Sequence, residues 1–541
     1  MKLFSFIDFH NLPGITGKLI AALIMISLLS CSSKPIQSAS SLPIFTPQIA
    51  TSELSVPLTP KSTSTIVAAT SVRIPTSTAT AGMSLPRFEP GDCAVHITIG
   101  QPHHCGWLIV PEDRTEPDGQ LIRLPVVVFE ARTPNPRPDP VIYLAGGGGA
   151  NQLAMMNLYS DFVSAVVSER DFIMYNQRGA PLTDPSLECV GIEDLLWDLA
   201  EQHPPIDERN LQLTEFWSRC RSNLVARGID LNMYSTSTNA ADADDLRIAL
   251  GYDQANYYGT SYGTRIGLFL LRDWSDGVRS IILDSTYPPE TDYYTTYASN
   301  VARGLTALFD ECNSEPVCVT RHGDLERLFT ETVEQLQVNP QIITYPERDL
   351  VVDGAMYIDV IYALLQSAQG REGARSFIEA ASKGDLDPFK PVYPALFDYP
   401  GNMAVYYSFQ CKEEVPKHPF REIEYEAGGV PAQIRDYAVK FFAALDYAVC
   451  EVWGVQPSNA SEIEPVKSDV PTLVLAGTFD PITPAQWGKS ATQFLSNGKF
   501  FEFPGESHGT MRSSACARQI ALSFLQDPSQ IPDSTCLEDT N

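Results

Sequence analysis

The chain has 541 residues, 44% of them hydrophobic, and a formal net charge of −28. That length exceeds one ordinary domain, and the apolar share is that of a globular protein with a sizeable core. So acidic a chain, without a basic patch or a nucleic-acid motif, argues against a nucleic-acid partner; the charge serves solubility and weakly favours cationic substrates such as free amino termini.

The N-terminus reads as a targeting segment. Lys2 and Lys18 precede an apolar run from Leu19 to Leu29, of signal-peptide length and short for a bilayer span. The run ends Leu28-Leu29-Ser30-Cys31, which resembles a bacterial lipobox. Residues 1–30 are therefore expected to be a lipoprotein signal. Cleavage before Cys31 and lipidation of its thiol would anchor an exported protein to a membrane. A plain secretory signal or an uncleaved anchor is the alternative. Residues 31–87 are about half Ser, Thr and Pro and are expected to form an extended tether, since such a composition buries no core.

Of eleven cysteines, Cys31 leaves an even ten. They fall into sequence-local pairs: Cys93 with Cys105, Cys189 with Cys220, Cys312 with Cys318, Cys411 with Cys450, and Cys516 with Cys536. Five disulfides and an oxidising compartment are the expectation, and no metal-binding spacing occurs among them.

From residue 88 the chain alternates strands and helices, which predicts an α/β fold with a mostly parallel, doubly wound sheet. Strands are expected over 105–111, 121–131, 140–144 and 171–175, and Pro125 suggests an edge strand or a bulge in the second. The third runs into Ala145-Gly146-Gly147-Gly148-Gly149-Ala150, a glycine run suited to close backbone approach, where an oxyanion donor would lie. A helical stretch over 192–228 and a helix over 239–250, capped by Thr238 or Asn239, come next.

Ala255-Asn256-Tyr257-Tyr258 then reads as a strand, and Thr264 to Leu271 as a helix. Between them stands Gly259-Thr260-Ser261-Tyr262-Gly263. A G-x-S-x-G between strand and helix is the context of a nucleophile elbow, with the Ser261 hydroxyl exposed at the sheet's upper edge and helix N–H groups facing it. The pattern alone is short and common; its flanks give it weight. Another strand follows over 279–284.

A serine nucleophile needs a base, and the base an orienting acid, in the chain order Ser, Asp, His. The apolar run 470–477 reads as a buried strand, and Asp480 follows it in a proline-flanked loop. Strand 499–503 is followed by Pro504-Gly505-Glu506-Ser507-His508-Gly509. Asp480 and His508 thus both sit past strand ends, where open α/β sheets place their sites. Residues 88–284 and 470–541 are expected to form the core, and the 185 residues of 285–469 a helical cap, with helices near 301–312, 325–337, 356–366, 373–382 and 434–448. The expected chemistry is acyl transfer: Ser261 attacks, His508 takes its proton, Asp480 holds the imidazole, and the backbone N–H groups of Tyr262 and Gly147 bind the oxyanion, with no metal or organic cofactor.

Together these segments resemble the secreted α/β-hydrolase peptidases of the tripeptidyl aminopeptidase and proline iminopeptidase group. The carriers are Cys105 to Pro111, Tyr143 to Gly149, Tyr175-Asn-Gln-Arg-Gly, Tyr258 to Thr264, Ile282-Leu-Asp-Ser, Cys411-Lys-Glu-Glu, Leu475 to Pro484 and Gly505 to Gly509. Two positions depart from the family pattern: Gly148 stands where Pro is usual, and Asn176 where Asp is. The resemblance implies an exported aminopeptidase acting on peptides with a free N-terminus, with a cap carboxylate, at Glu413 or Glu414, gripping the substrate amine. A solvated charge pair is the plainer reading of those two glutamates. An esterase or lipase with the same triad, or a non-catalytic binding lipoprotein on this scaffold, would share most of these features.

Overall fold

The computed structural model describes residues 85–397 and 401–540. The expected signal segment, the lipidation site Cys31 and nearly all of the expected tether lie outside these residues.

Nine strands form one sheet: β1 (Arg87–Gly91), β2 (His103–Pro111), β3 (Leu121–Phe129), β4 (Val141–Leu144), β5 (Phe172–Tyr175), β6 (Ala255–Thr260), β7 (Val278–Asp284), β10 (Thr472–Gly477) and β11 (Gly498–Phe503). β8 (Gln341–Thr344) and β9 (Asp349–Val352) make a separate hairpin. The large sheet runs β1-β2-β3-β5-β4-β6-β7-β10-β11. Pairing is antiparallel from β1 to β5 and parallel from there to β11.

Side-chain alternation explains why so many strands are apolar throughout. On β4, Ile142 and Leu144 join one core while Val141 and Tyr143 join the other, and on β6 Tyr257 and Tyr258 divide the same way. Both faces are covered, so both alternating sets must be apolar. Pro125 does not mark an edge. β3 lies between β2 and β5, and Pro125 falls where the β3–β5 ladder runs out, its carbonyl accepting the Asn176 N–H at 3.2 Å. The missing donor therefore removes only a terminal ladder bond.

The helices used below are α1 (Thr236–Ala249), α2 (Tyr262–Asp273), α3 (Tyr293–Ser314), α4 (Gly354–Leu364), α5 (Ala368–Ser382) and α6 (Met403–Glu413). α1 starts earlier than the sequence suggested, because Ser235 and Thr238 form a reciprocal capping box. The stretch near 192–228 is two helices, Ile192–Gln202 and Ile206–Ala226, interrupted at Pro204 and Pro205. The expected helix over 434–448 is a longer, composite one. Its middle, Tyr437–Ala443, is a π-helical turn, which places Tyr437 and Phe442, five residues apart, on one side. All five sequence-local cysteine pairs are disulfides, closing loops of 6 to 39 residues.

Two topological facts position the site. The chain passes from β4 to β5 on one side, then crosses to β6 on the other, so β4 and β6 flank a switch point. β7 and β10 are neighbours, so residues 285–469 leave and re-enter the sheet at adjacent strands.

Candidate active site

Ser261 sits between β6 and α2 with φ 55° and ψ −123°. For a residue with a side chain this is strained backbone, at about 1–3 kcal/mol, tolerated where the surroundings over-determine it. Here they do: the Ser261 N–H bonds the Asp284 oxygen at 3.0 Å, and the Ser261 oxygen accepts from Thr264 N–H at 2.8 Å and its hydroxyl at 2.6 Å. Gly263 is required by close packing, since a Cβ there would lie 2.0 Å from the Leu144 oxygen. Ser261 is 7% exposed.

Asp480 and His508 come together from the loops after β10 and β11. His508 Nδ1 lies 2.8 Å from Asp480 Oδ2, both side chains being buried. The other carboxylate oxygen accepts the N–H groups of Ile482 and Thr483, each at 2.9 Å. The Thr483 hydroxyl donates to Oδ2 at 2.7 Å and lies 3.1 Å from His508 Nδ1. Burial alone would raise the Asp480 carboxyl, but His508 and Thr483 outweigh it and hold it below its ordinary value. His508 Nε2 is buried with no hydrogen-bond partner, a nitrogen left available for a reacting proton.

The glycine loop after β4 faces the elbow. Gly147 has φ 80° and lines the same recess as Ser261 and Tyr262. Gly148 leaves room for α6: a Cβ there would stand 2.3 Å from the Phe409 ring, which itself stacks on Tyr262 at 4.2 Å between centroids. The loop is fixed from below by the Asn-Gln-Arg-Gly segment. Gln177 donates to the Ala145 oxygen at 2.8 Å, and Arg178 makes a buried two-pronged pair with Asp242, each arm 2.7 Å. Asn176, where the family pattern has Asp, donates to Asn151 Oδ1 and accepts from Leu153 N–H, both at 3.0 Å.

The recess occupies roughly 700 Å3, its open mouth included. Its walls are aromatic: Tyr287, Tyr293, Tyr297, Tyr362, Tyr406 and Tyr437, with Phe409, Phe442 and Trp487.

Glu413 and Glu414 are not on this wall. Glu413 pairs with Arg265 at 3.1 Å and accepts the Thr236 N–H and hydroxyl at 2.7 and 2.6 Å. Glu414 pairs with the same Arg265 at 2.7 Å and with Lys417 at 2.8 Å. All four carboxylate and cationic side chains are at most 6% exposed. The two carboxylates thus face two cations in a buried cluster, with Glu290 close to the same cations and Glu414 Oε2 left without a hydrogen-bond partner; much of the charge expected to grip a substrate amine is already matched within the protein.

The carboxylate that does line the recess is Asp359, on α4, which the sequence reading passed over. Its Oδ1 accepts the Tyr437 hydroxyl at 2.6 Å, and its Oδ2 is buried with no hydrogen-bond partner. Burial drives its carboxyl up to about 7, against the Tyr437 bond and the charge of Arg209, with Asp353 adding to the rise. The signal was in the sequence: Asp359 is the one ionisable acid in the otherwise apolar Gly354–Leu364.

Comparison with known proteins bears on the fold and the activity. A family model described as the alpha/beta hydrolase fold matches residues 139–305, and one described as TAP-like protein matches residues 437–536. Serine protease Hip1 of Mycobacterium tuberculosis is 24% identical over 451 residues, covering 78% of this chain and 84% of that protein. Tripeptidyl aminopeptidase of Streptomyces lividans is 29% identical over 207 residues, covering 37% of this chain and 38% of that protein. This chain is a TAP-like α/β-hydrolase, a serine peptidase.

Proposed function

We propose that the protein is an exported aminopeptidase that releases residues or short peptides from free N-termini through a Ser261–His508–Asp480 triad and an acyl-enzyme. In this reading the backbone N–H groups of Tyr262 and Gly147 receive the oxyanion. Asp359 takes the α-ammonium, replacing Glu413 and Glu414 in that role. The carrying observation is a single recess holding both the strained serine and a buried carboxylate with one oxygen unpartnered. An incoming ammonium would supply the missing partner, and burial makes such a charged bond worth about 1.5–3 kcal/mol. Five disulfides support export into an oxidising compartment. A lipid anchor at Cys31 belongs to the same proposal.

The test compares chromogenic peptide amides with free and acetylated N-termini, and a short-chain nitrophenyl ester. Fast cleavage confined to free-amine amides is expected, with the best peptide length giving the register. Equal cleavage of acetylated amides, or of the ester alone, would replace this reading with an endopeptidase or an esterase.

Asp359 adds a pH signature. A carboxyl raised to about 7 is neutral below that pH and charged above it, so KM for free-amine substrates should fall as pH rises from 6 to a little above 7, beyond which the substrate α-amine, with a pKa of about 8, begins to lose its own proton. Asp359→Asn should flatten that dependence and raise KM about 10-fold or more, the loss of one charged hydrogen bond. A KM unchanged by Asp359→Asn would remove Asp359 from the amine site.

A further inference from the structure

The cap bonds directly to the two loops that carry Asp480 and His508. Arg303, on α3, donates from Nη2 to the main-chain oxygen of Asp480. The Tyr362 hydroxyl, on α4, donates to the main-chain oxygen of Pro481 at 3.1 Å. The main-chain oxygen of Gln366, just past α4, accepts the His508 N–H at 3.2 Å. Arg371, on α5, donates from Nη1 to the Gly505 oxygen at 2.8 Å and lies over the Phe479 ring at 4.0 Å. Its guanidinium is itself braced by Glu311 of α3 at 3.1 Å.

These contacts all fall on the acid and base loops, and none on a side chain of the triad. The core holds the other side of the base loop: Ser285 accepts the Gly509 N–H at 2.8 Å, and Asp284 accepts the N–H groups of Thr510 and Met511 at 2.8 and 3.1 Å. His508 is thus suspended between a core anchor at residue 509 and a cap anchor at its own N–H. A cap that only gated substrate entry would not need bonds to these backbones.

We propose that Arg303 and Arg371 are positioning residues, through which the docked cap holds the Asp480–His508 pair in line with Ser261. The proposal rests on the triad reading above and adds that the cap sets the rate of acylation as well as covering the recess. Misplacing a reacting group by about 1 Å costs on the order of 100-fold in rate, so small shifts of either loop suffice.

The experiment uses the full chain with Arg303→Ala, Arg371→Ala and the two Lys counterparts. It measures kcat and KM on the best free-amine amide, the rate of Ser261 labelling by a fluorophosphonate, and the thermal midpoint. The Ala variants should lose about 10- to 100-fold in kcat, with KM within about twofold and labelling slowed in parallel. Arg303→Lys should recover most of the rate, since one ammonium can still reach one carbonyl. Arg371→Lys should recover less, because a point charge cannot replace the planar fork that spans Gly505, Glu311 and the Phe479 ring. Wild-type kcat in both Ala variants would overturn the proposal. So would a raised KM with kcat intact, or a kcat loss that vanishes on assay well below each variant's thermal midpoint. If the wild-type enzyme itself fails to label at Ser261, the triad reading falls. If the wild type labels and the Ala variants label equally fast, only the positioning proposal falls.

Discussion

Ser261→Ala is expected to lower kcat by about 10^6-fold while leaving the fold intact, a loss typical of removing the nucleophile from a triad that acts as a unit. The physical ground is narrow. The Ser261 hydroxyl is presented from a strained backbone conformation of φ 55° that its main-chain hydrogen bonds hold in place. Alanine suits that strained backbone no better than serine does, so the local strain stays. No hydrogen bond holding the elbow uses the lost hydroxyl: the bonds to Asp284 and Thr264 are made by the Ser261 main chain. The thermal midpoint should therefore move little. Fluorophosphonate labelling and peptide turnover should both disappear. Retained turnover above a hundredth of wild type would mean that another group forms the acyl-enzyme, or that water is activated directly.

The elbow and Asp480 could be read from the sequence because each follows a strand buried throughout, where a break is conspicuous, and His508 because it follows the aromatic edge strand β11. Ser261 had its flanking glycines, Asp480 its prolines, and His508 a glycine on either side of its loop. The helices within 285–469 were legible because amphipathic spacing is local. The carboxylate that lines the recess was not. Glu413 and Glu414 stand side by side and look like a clamp, but their partner Arg265 lies 148 residues from Glu413, and nothing local announces that pairing. Pro125 misled for a related reason. Whether a proline breaks a ladder depends on where the neighbouring strand ends, and β5 ends at Tyr175, one residue before Pro125 would need it. Arg303 and Arg371 carry no local sign of their contacts, because the loop carbonyls they bind lie 177 and 134 residues away in the chain.

Asp480→Asn is the second large effect expected: kcat lower by about 10^4-fold with the geometry nearly unchanged. The hydrogen bonds dictate which way the new amide faces. Asp480 Oδ1 accepts two backbone N–H groups, from Ile482 and Thr483, so the amide oxygen must take that place. Its NH2 then occupies the Oδ2 position, 2.8 Å from His508 Nδ1 and 2.7 Å from the Thr483 hydroxyl. Facing a donor, Nδ1 must accept, which sends the imidazole proton to Nε2, the nitrogen that has to receive the Ser261 proton. The wrong tautomer is thereby built in. The Thr483 hydroxyl can turn from donor to acceptor, so the substitution leaves no buried donor unpaired there. Stability should show a complementary trend. The Asp480 carboxyl is held below its ordinary value in the folded protein, so it contributes stability above the unfolded carboxylate range, and that stability is lost as pH falls through the folded value. The asparagine variant should be less stable than wild type near neutrality, and the difference should close as the medium is acidified. Asp480→Ala, which abandons both backbone N–H groups as well, should be the less stable of the two variants at every pH. Activity within tenfold of wild type in Asp480→Asn would show that His508 is oriented by something other than this carboxylate.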